Sequence, residues 1–266
     1  MVYYVRIAKE NLMSNVHRLL SKLRLDQALV ERGLVTSRSQ GESFVRLGKV
    51  TVDGKVVEKP GYFVNDQAKL KVNQDEQYVS RAGMKLASVA GNLGLDFAGK
   101  IVLDVGSSTG GFTDYSLRRG AKKVIAVDVG TDQLHPSLQG HKQIELHEKT
   151  DIRDVSINDE RVVKLDKAPD IVLIDVSFIS LREILPHLGR HVASKNTQVV
   201  AMLKPQFEAG FGQSNKGVIK NDSVRRQILK DFETWVRKEF VILDKRDSEV
   251  SGAKGNRERF YLLKKS

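Results

Sequence analysis

Four apolar runs in this chain carry a charged side chain at or beside their end: 101–105 holds Asp104, 124–127 leads into Asp128, 171–174 into Asp175, and 199–203 into Lys204. In an open α/β sheet, ligands gather at the carboxyl ends of the strands. Acids and an amine placed there are therefore candidates for holding a cofactor and moving a proton. The first run opens into Gly106-Ser107-Ser-Thr-Gly110-Gly111-Phe112. Glycines in such a turn remove side chains where a ligand meets the main chain, and they permit backbone angles that a Cβ resists. The spacing G-x-x-x-G-G departs from the G-x-G-x-x-G that seats a pyrophosphate on a helix terminus. It points to a nucleoside cofactor without a diphosphate, chiefly S-adenosylmethionine; a tight strand-to-helix turn without a ligand is the alternative.

Each strand-end group has a role to suggest. Asp104 can receive a charged or amide donor of the cofactor. Asp128 follows Gly110 at close to the roughly 20-residue spacing at which an acid accepts from ribose hydroxyls. Asp151 can accept from an adenine amino group with Ile152 against the ring, or it can cap the turn that follows, as can Asp154. Asp175 ends a nearly all-apolar strand, where a partly buried carboxylate marks a candidate active site. Lys204 leads into Pro205-Gln-Phe-Glu-Ala-Gly, a loop able to fold over a substrate.

These groups need a sheet to hold them. Val- and Ile-rich runs recur at 101–105, 123–127, 170–175, 198–203, 240–244 and 259–263, with helical spacing between most of them, which predicts a doubly wound, mostly parallel α/β fold over 82–266. Leu86, Val89, Leu93 and Leu95 predict a helix over 82–95, and 77–81 reads as a connection. Before it, 23–76 reads as a small α+β module. Leu25, Ala28, Leu29 and Val30 before Gly33 predict one helix, and Thr36 or Ser37 caps a second that reaches Leu47 and Gly48. Asp53-Gly54 then turns a hairpin within 50–57, and 68–72 adds a strand.

Composition narrows the partners. The 266 residues carry 44 Lys and Arg against 33 Asp and Glu, a formal charge of +11, which suits a polyanion; nucleic acid leads and an anionic membrane surface is the alternative. No apolar run nears the roughly 20 residues that cross a bilayer. Residues 1–22 have neither a signal-peptide core nor a cleavage site, so a cytoplasmic protein is expected. With no cysteine and six scattered histidines, no metal site is expected.

Two resemblances sharpen this reading. R-L-D-Q-A-L-V-E-R-G-L-V-x-S-R-S at 24–39 and R-L-G-K-V-T-V-D-G-K at 46–55 resemble the small RNA-binding domain named after ribosomal protein S-four. The resemblance implies a basic face for structured RNA made of Arg24, Ser37, Arg38, Arg46, Lys49 and Lys55, contacting phosphates and helix shape. Asp26, Glu31 and Glu42 in the same module leave a plain solvated face as the alternative.

Nearly the whole chain resembles the TlyA family, in which that module precedes a methyltransferase domain akin to the FtsJ-type ribose 2′-O-methyltransferases. The motifs are S-R-A-G-M-K-L at 80–86, D-V-G-S-S-T-G-G-F-T-D at 104–114, D-V-G-x-x-Q-L at 128–134, D-V-S-F-I-S-L at 175–181, L-K-P-Q-F-E at 203–208 and G-N-R-E-R-F at 255–260. The resemblance implies a seven-stranded Rossmann-like sheet and a catalytic set of Lys85, Asp175, Lys204 and Glu258, with Glu249 the rival of Glu258. It implies S-adenosylmethionine held by Asp104, Gly106, Ser107, Gly110, Gly111, Phe112, Asp128, Val129, Asp151, Ile152 and Asp175, and a cytidine ribose of ribosomal RNA as methyl acceptor. Whether Lys204 works as a neutral base or as a charged stabiliser of an alkoxide is left open. Some family members are called haemolysins, so a membrane-active protein is a second hypothesis. A non-catalytic RNA-binding assembly factor is a third.

Overall fold

In the computed structural model, which describes residues 22–35, 37–46, 48–73, 78–157, 163–210, 217–219, 221–252 and 255–266, the chain separates into two units, 1–77 and 78–266. In the smaller one, β1 (Leu23–Arg24) runs into α1 (Leu25–Glu31), followed by α2 (Arg38–Arg46), β2 (Val50–Val52), β3 (Lys55–Val56), β4 (Phe63–Val64) and β5 (Leu70–Val72). Leu25, Ala28 and Leu29 recur at helical spacing and are fully buried with Phe44 and Val45 of α2. Ser37 caps α2 by accepting from the Gln40 amide at 3.2 Å; Thr36 and Leu47 fall outside the described residues, as do 1–21. The Asp53-Gly54 turn joins β2 to β3, β5 pairs on the other side of β2, and β1 pairs with β4.

The larger unit begins with α3 (Arg81–Ala90) and β6 (Ile101–Val105), then α4 (Gly111–Arg118), β7 (Lys123–Val127) and β8 (Ile144–His147). A short parallel pair, β9 (Val155–Ser156) and β10 (Val163–Lys164), precedes β11 (Ile171–Ile174), α5 (Leu181–His191), β12 (Gln198–Leu203), α6 (Pro205–Glu208), α7 (Asp222–Val236), β13 (Phe240–Asp247) and β14 (Arg259–Lys265). The seven strands of the main sheet run β13-β14-β12-β11-β6-β7-β8. β12 through β8 are parallel, and β14 is antiparallel to both its neighbours. Chain order reverses between β6 and β11, and that switch point leaves a crevice beyond the strand ends. Ile171–Ile174 is buried throughout, as a central parallel strand covered on both faces requires.

Three expectations shift. The residues read as a connection include Tyr78, whose buried ring packs on Tyr115 at 5.4 Å, and Val79, whose amide donates to Asp114 at 2.9 Å; from residue 78 onward the chain belongs to the larger unit. The helix predicted over 82–95 spans Arg81–Ala90, with Leu93 buried in the turn beyond. β8 escapes the sequence pattern because Ile144-Glu-Leu-His147 lies at the sheet edge, with Leu146 exposed.

Candidate functional site

A cavity of about 370 Å³ opens at the switch point, within the roughly 300–1,000 Å³ typical of small-molecule sites. Of the expected cofactor residues, Gly106, Asp128, Val129, Asp151, Ile152 and Asp175 line it. Ser108, Gln133, Ser177 and Phe178 join them, although no role was expected of these four. Asp128 accepts from the Ser108 amide at 2.8 Å and the Gly130 amide at 2.7 Å, tying the β6 turn to the end of β7. Each of its oxygens keeps a further lone pair for a ligand. Asp151 takes the capping alternative: it accepts from the Arg153 amide at 2.9 Å and pairs with its guanidinium at 2.7 Å, which holds its carboxyl below the usual range.

Asp104 is buried. Its Oδ2 accepts from the Thr113 hydroxyl at 2.7 Å, while Oδ1 has no partner among the described residues; the same is true of the buried Ser107 hydroxyl. Burial pushes the Asp104 carboxyl up to about 7, and the neighbouring Asp175 and Asp128 charges add to the rise that Thr113 opposes. An unpaired carboxylate oxygen among three acids suits a cationic nucleoside, which is the test that S-adenosylmethionine, a sulfonium with an ammonium group, has to pass.

The glycines divide the work differently from expectation. Gly106 has φ +80° and a Cβ there would stand 2.9 Å from the Asp175 carbonyl, so it lets the β6 and β11 ends close up. At Gly110, with φ +86°, a Cβ would meet Leu138 at 2.5 Å, and at Gly111 it would strike Ser80 and the Gly83 amide of α3. Neither residue lines the cavity, and nor does Ser107. Phe112 is a core side chain whose ring packs on Phe260 at 6.1 Å. Close packing against Leu138 and against α3 leaves no room for a Cβ at Gly110 and Gly111, and Phe112 serves the core.

The four groups implied as catalytic form two ion pairs. Lys204 Nζ stands 2.7 Å from Asp175 and donates to the Ser177 hydroxyl at 2.7 Å; the side chains of the pair are 10% and 15% exposed. Lys85 on α3 pairs with Glu258 at 2.6 Å, both nearly buried, whereas Glu249 is exposed. Leu203 pairs with Arg259 across β12 and β14, so one step further along that antiparallel ladder sets Lys204 beside Glu258. Both pairs therefore stand at one end of the sheet.

Glu208 secures the two loops at that end. Its carboxylate, buried, accepts from the Ser180 hydroxyl at 2.6 Å and the Leu181 amide at 2.7 Å, so a side chain of α6 caps α5. Above it Phe178 and Phe207 lie 5.2 Å apart. Ser177, Phe178 and Glu208 were present in the sequence motifs but without a role, because their partners come from the other loop.

In the smaller unit, one fully buried carboxylate organises two of the expected RNA-binding arginines. Asp26 receives Arg24 through Nε at 3.1 Å and Nη2 at 2.9 Å, and Arg38 through Nε at 2.9 Å. Burial works to raise the Asp26 carboxyl, but hydrogen bonds from both arginines outweigh it and hold it below the usual range. Arg46 pairs with Glu42 at 2.9 Å, Ser37 is committed to its cap, and Lys55 is exposed on the hairpin. Among the described residues no helix is long and apolar enough to cross a membrane, and no cluster of three or more His, Asp or Glu is placed to hold a metal.

Comparison with known proteins agrees in both units. Residues 78–265 match the FtsJ-like methyltransferase family and 23–69 match the S4 domain. The chain is 36% identical over 247 residues to the 16S/23S rRNA (cytidine-2′-O)-methyltransferase TlyA of Mycobacterium tuberculosis, covering 91% of this chain and 90% of that protein. It is 35% identical over 238 residues to Hemolysin A of Brachyspira hyodysenteriae, covering 89% and 97%. A solved hemolysin-like chain from Streptococcus thermophilus superposes with a TM-score of 0.67 at 36% identity, covering 92% of this chain and 89% of that one.

Two outcomes follow from this geometry. Without ligand, an unfolded Asp104 gives up its proton near pH 4 while the folded one keeps it to about 7, so its contribution to stability falls as pH rises between those values and is flat above. Thermal unfolding of Asp104→Asn against wild type across pH 4–8 will show that falling difference; parallel curves refute it. Glu208→Gln will cost about 1–2 kcal/mol in denaturant unfolding and speed hydrogen exchange at the Leu181 amide, which loses its charged acceptor.

Proposed function

The chain belongs to the TlyA family of FtsJ-like methyltransferases, and we propose that it transfers the methyl group of S-adenosylmethionine to the 2′-hydroxyl of a ribosomal RNA ribose, a cytidine. The observation that carries the reading is the Lys204–Asp175 pair at the edge of the cavity, with Glu258 and Lys85 at the same end of the sheet. Asp104 and Asp128 would hold the cofactor's cationic and hydroxyl groups, and Ile152 would pack on its base. Bound there, the cofactor supplies an electrophilic methyl on a sulfonium.

The chain's own residues then place and activate the hydroxyl. An in-line displacement depends chiefly on positioning, which the paired loops around Glu208 provide. A lysine–carboxylate pair has room for one more proton, on the carboxylate. Lys204, passing its shared proton to Asp175, would take up the hydroxyl proton, so the pair would hold the proton that the oxygen loses as it accepts the methyl group the cofactor would supply, and no bare alkoxide need form. Ser177 holds the amine in place through its hydroxyl, and the Glu258–Lys85 pair steadies the same end. Phe178 offers a ring face to the incoming base. It is 91% exposed, and φ +67° is a strained backbone for a residue with a Cβ.

RNA binding is assigned to 23–76 and methyl transfer to the larger unit, with the work done on ribosomal subunits or their RNA in the cytoplasm. Relatives called haemolysins leave a membrane-active reading, which dye release from liposomes by Lys204→Ala, undiminished from wild type, would favour.

Purified protein with methyl-labelled donor will label ribosomal RNA, and 2′-deoxy substitution at the target sugar will abolish labelling; transfer to the deoxy RNA overturns the proposal. Lys204→Ala will lose about 10²-fold or more in kcat. Phe178→Ala will raise KM for RNA several-fold, a larger effect than any it has on cofactor affinity by calorimetry.

A further inference from the structure

Holding RNA by its phosphates calls only for cations, yet the smaller unit leaves two adjacent aromatic rings in solvent: Phe63 is 60% exposed and Tyr62 46%. The core does not need Phe63, because the next residue, Val64, is the one β4 buries. Phe63 is the cross-strand partner of Arg24, and directly opposite residues of an antiparallel pair send their side chains out on one face. The Arg24 guanidinium is fixed there by its two bonds to Asp26 and lies close over the chain leading to Phe63, since a Cβ on Gly61 would stand 3.2 Å from its Nη1. Arg38 is anchored on the same carboxylate, and both guanidiniums remain substantially exposed. An exposed ring thus sits beside Arg24, a cation whose position, like that of Arg38, is set by one buried acid.

We propose that Phe63 is a stacking platform for one unpaired nucleobase of the RNA, whose flanking phosphates Arg24 and Arg38 hold. The module then reads a bulged or looped-out nucleotide as well as the shape of a helix. A continuous duplex keeps its bases inside the stack and offers nothing to a ring at this position, whereas a splayed base presents a face to an aromatic side chain. Arginine beside the ring adds the complementary charge for the backbone that carries the base. The proposal rests on the RNA-binding reading of this unit, and its test separates the two.

The test uses the full chain and a labelled RNA hairpin with a single bulged 2-aminopurine, against the same hairpin fully paired, titrated at several salt concentrations. Wild type will prefer the bulged hairpin and quench its fluorescence. Phe63→Leu keeps an apolar side chain but no ring; it will lose roughly tenfold on the bulged hairpin and the quenching with it. Binding to the paired hairpin, the salt slope and the melting temperature will stay as in wild type, and Phe63→Trp will restore the preference. Arg24→Ala and Arg38→Ala will weaken binding to both hairpins and flatten the salt slope. Wild-type behaviour of Phe63→Leu on the bulged hairpin, or equal losses on both hairpins, overturns the stacking proposal alone. Wild-type affinity in the arginine variants as well overturns the RNA-binding reading beneath it.

Discussion

The pairing of Lys204 with Asp175 at the ends of adjacent parallel strands is the constraint on which the larger unit turns. Two charges so far out of water lose several kcal/mol of hydration each, and a single ion pair seldom recovers that by itself. The surrounding structure is arranged to make the pair affordable: the Ser177 hydroxyl accepts a second hydrogen bond from Lys204, Gly106 lets the β11 end close on β6, and Glu208 welds the two loops together. Removing either partner would leave a lone charge behind, at a cost of roughly 3–5 kcal/mol. An apolar pair of the same size often holds a fold as well or better, so stability alone does not account for the ion pair; on the proposed reaction its use is what it does to a proton.

Asp104, Asp128 and Asp175 pose a second electrostatic problem, since Asp128 and Asp175 line one small mouth and Asp104 is buried within reach of both charges. Each meets it differently. Asp128 is quieted by two amides, Asp175 by a lysine, and Asp104 by keeping its proton to about pH 7. A cation entering the cavity relieves what remains. The donor would carry a sulfonium and its spent form a neutral thioether, so the acids that favour binding of the donor would favour the product less and ease its release.

The strand-end groups were legible because apolar runs broken by a single charge mark both a buried strand and its exit, and Asp104, Asp128, Asp175 and Lys204 all fall at such places. Crowding was not. Gly110 and Gly111 read as openings for a ligand, yet what excludes a Cβ is Leu138 in one case and α3 in the other, contacts that no local pattern encodes. Ser177 and Glu208 were in view as letters of motifs, but their partners lie 27 or 28 residues away on a loop that only the sheet order brings near. Asp26 is the sharpest reversal: as a charge it counted against an RNA-binding face, and as a buried acceptor it is what orients Arg24 and Arg38.

That reversal bears on how one chain serves ligands of opposite sign. The cofactor expected in the cavity is cationic and the expected RNA is a polyanion, so a uniform excess of positive charge would help one and hinder the other. The net charge of +11 acts at long range, drawing a polyanion in and weakening with salt. At short range the signs are sorted by pairing. Lys204 and Lys85 are neutralised by carboxylates at one end of the sheet, while Arg24 and Arg38 share a single acid and keep a surplus positive charge. Two guanidiniums on one carboxylate hold a fixed direction without cancelling, and a phosphate backbone needs both properties to be gripped in one register.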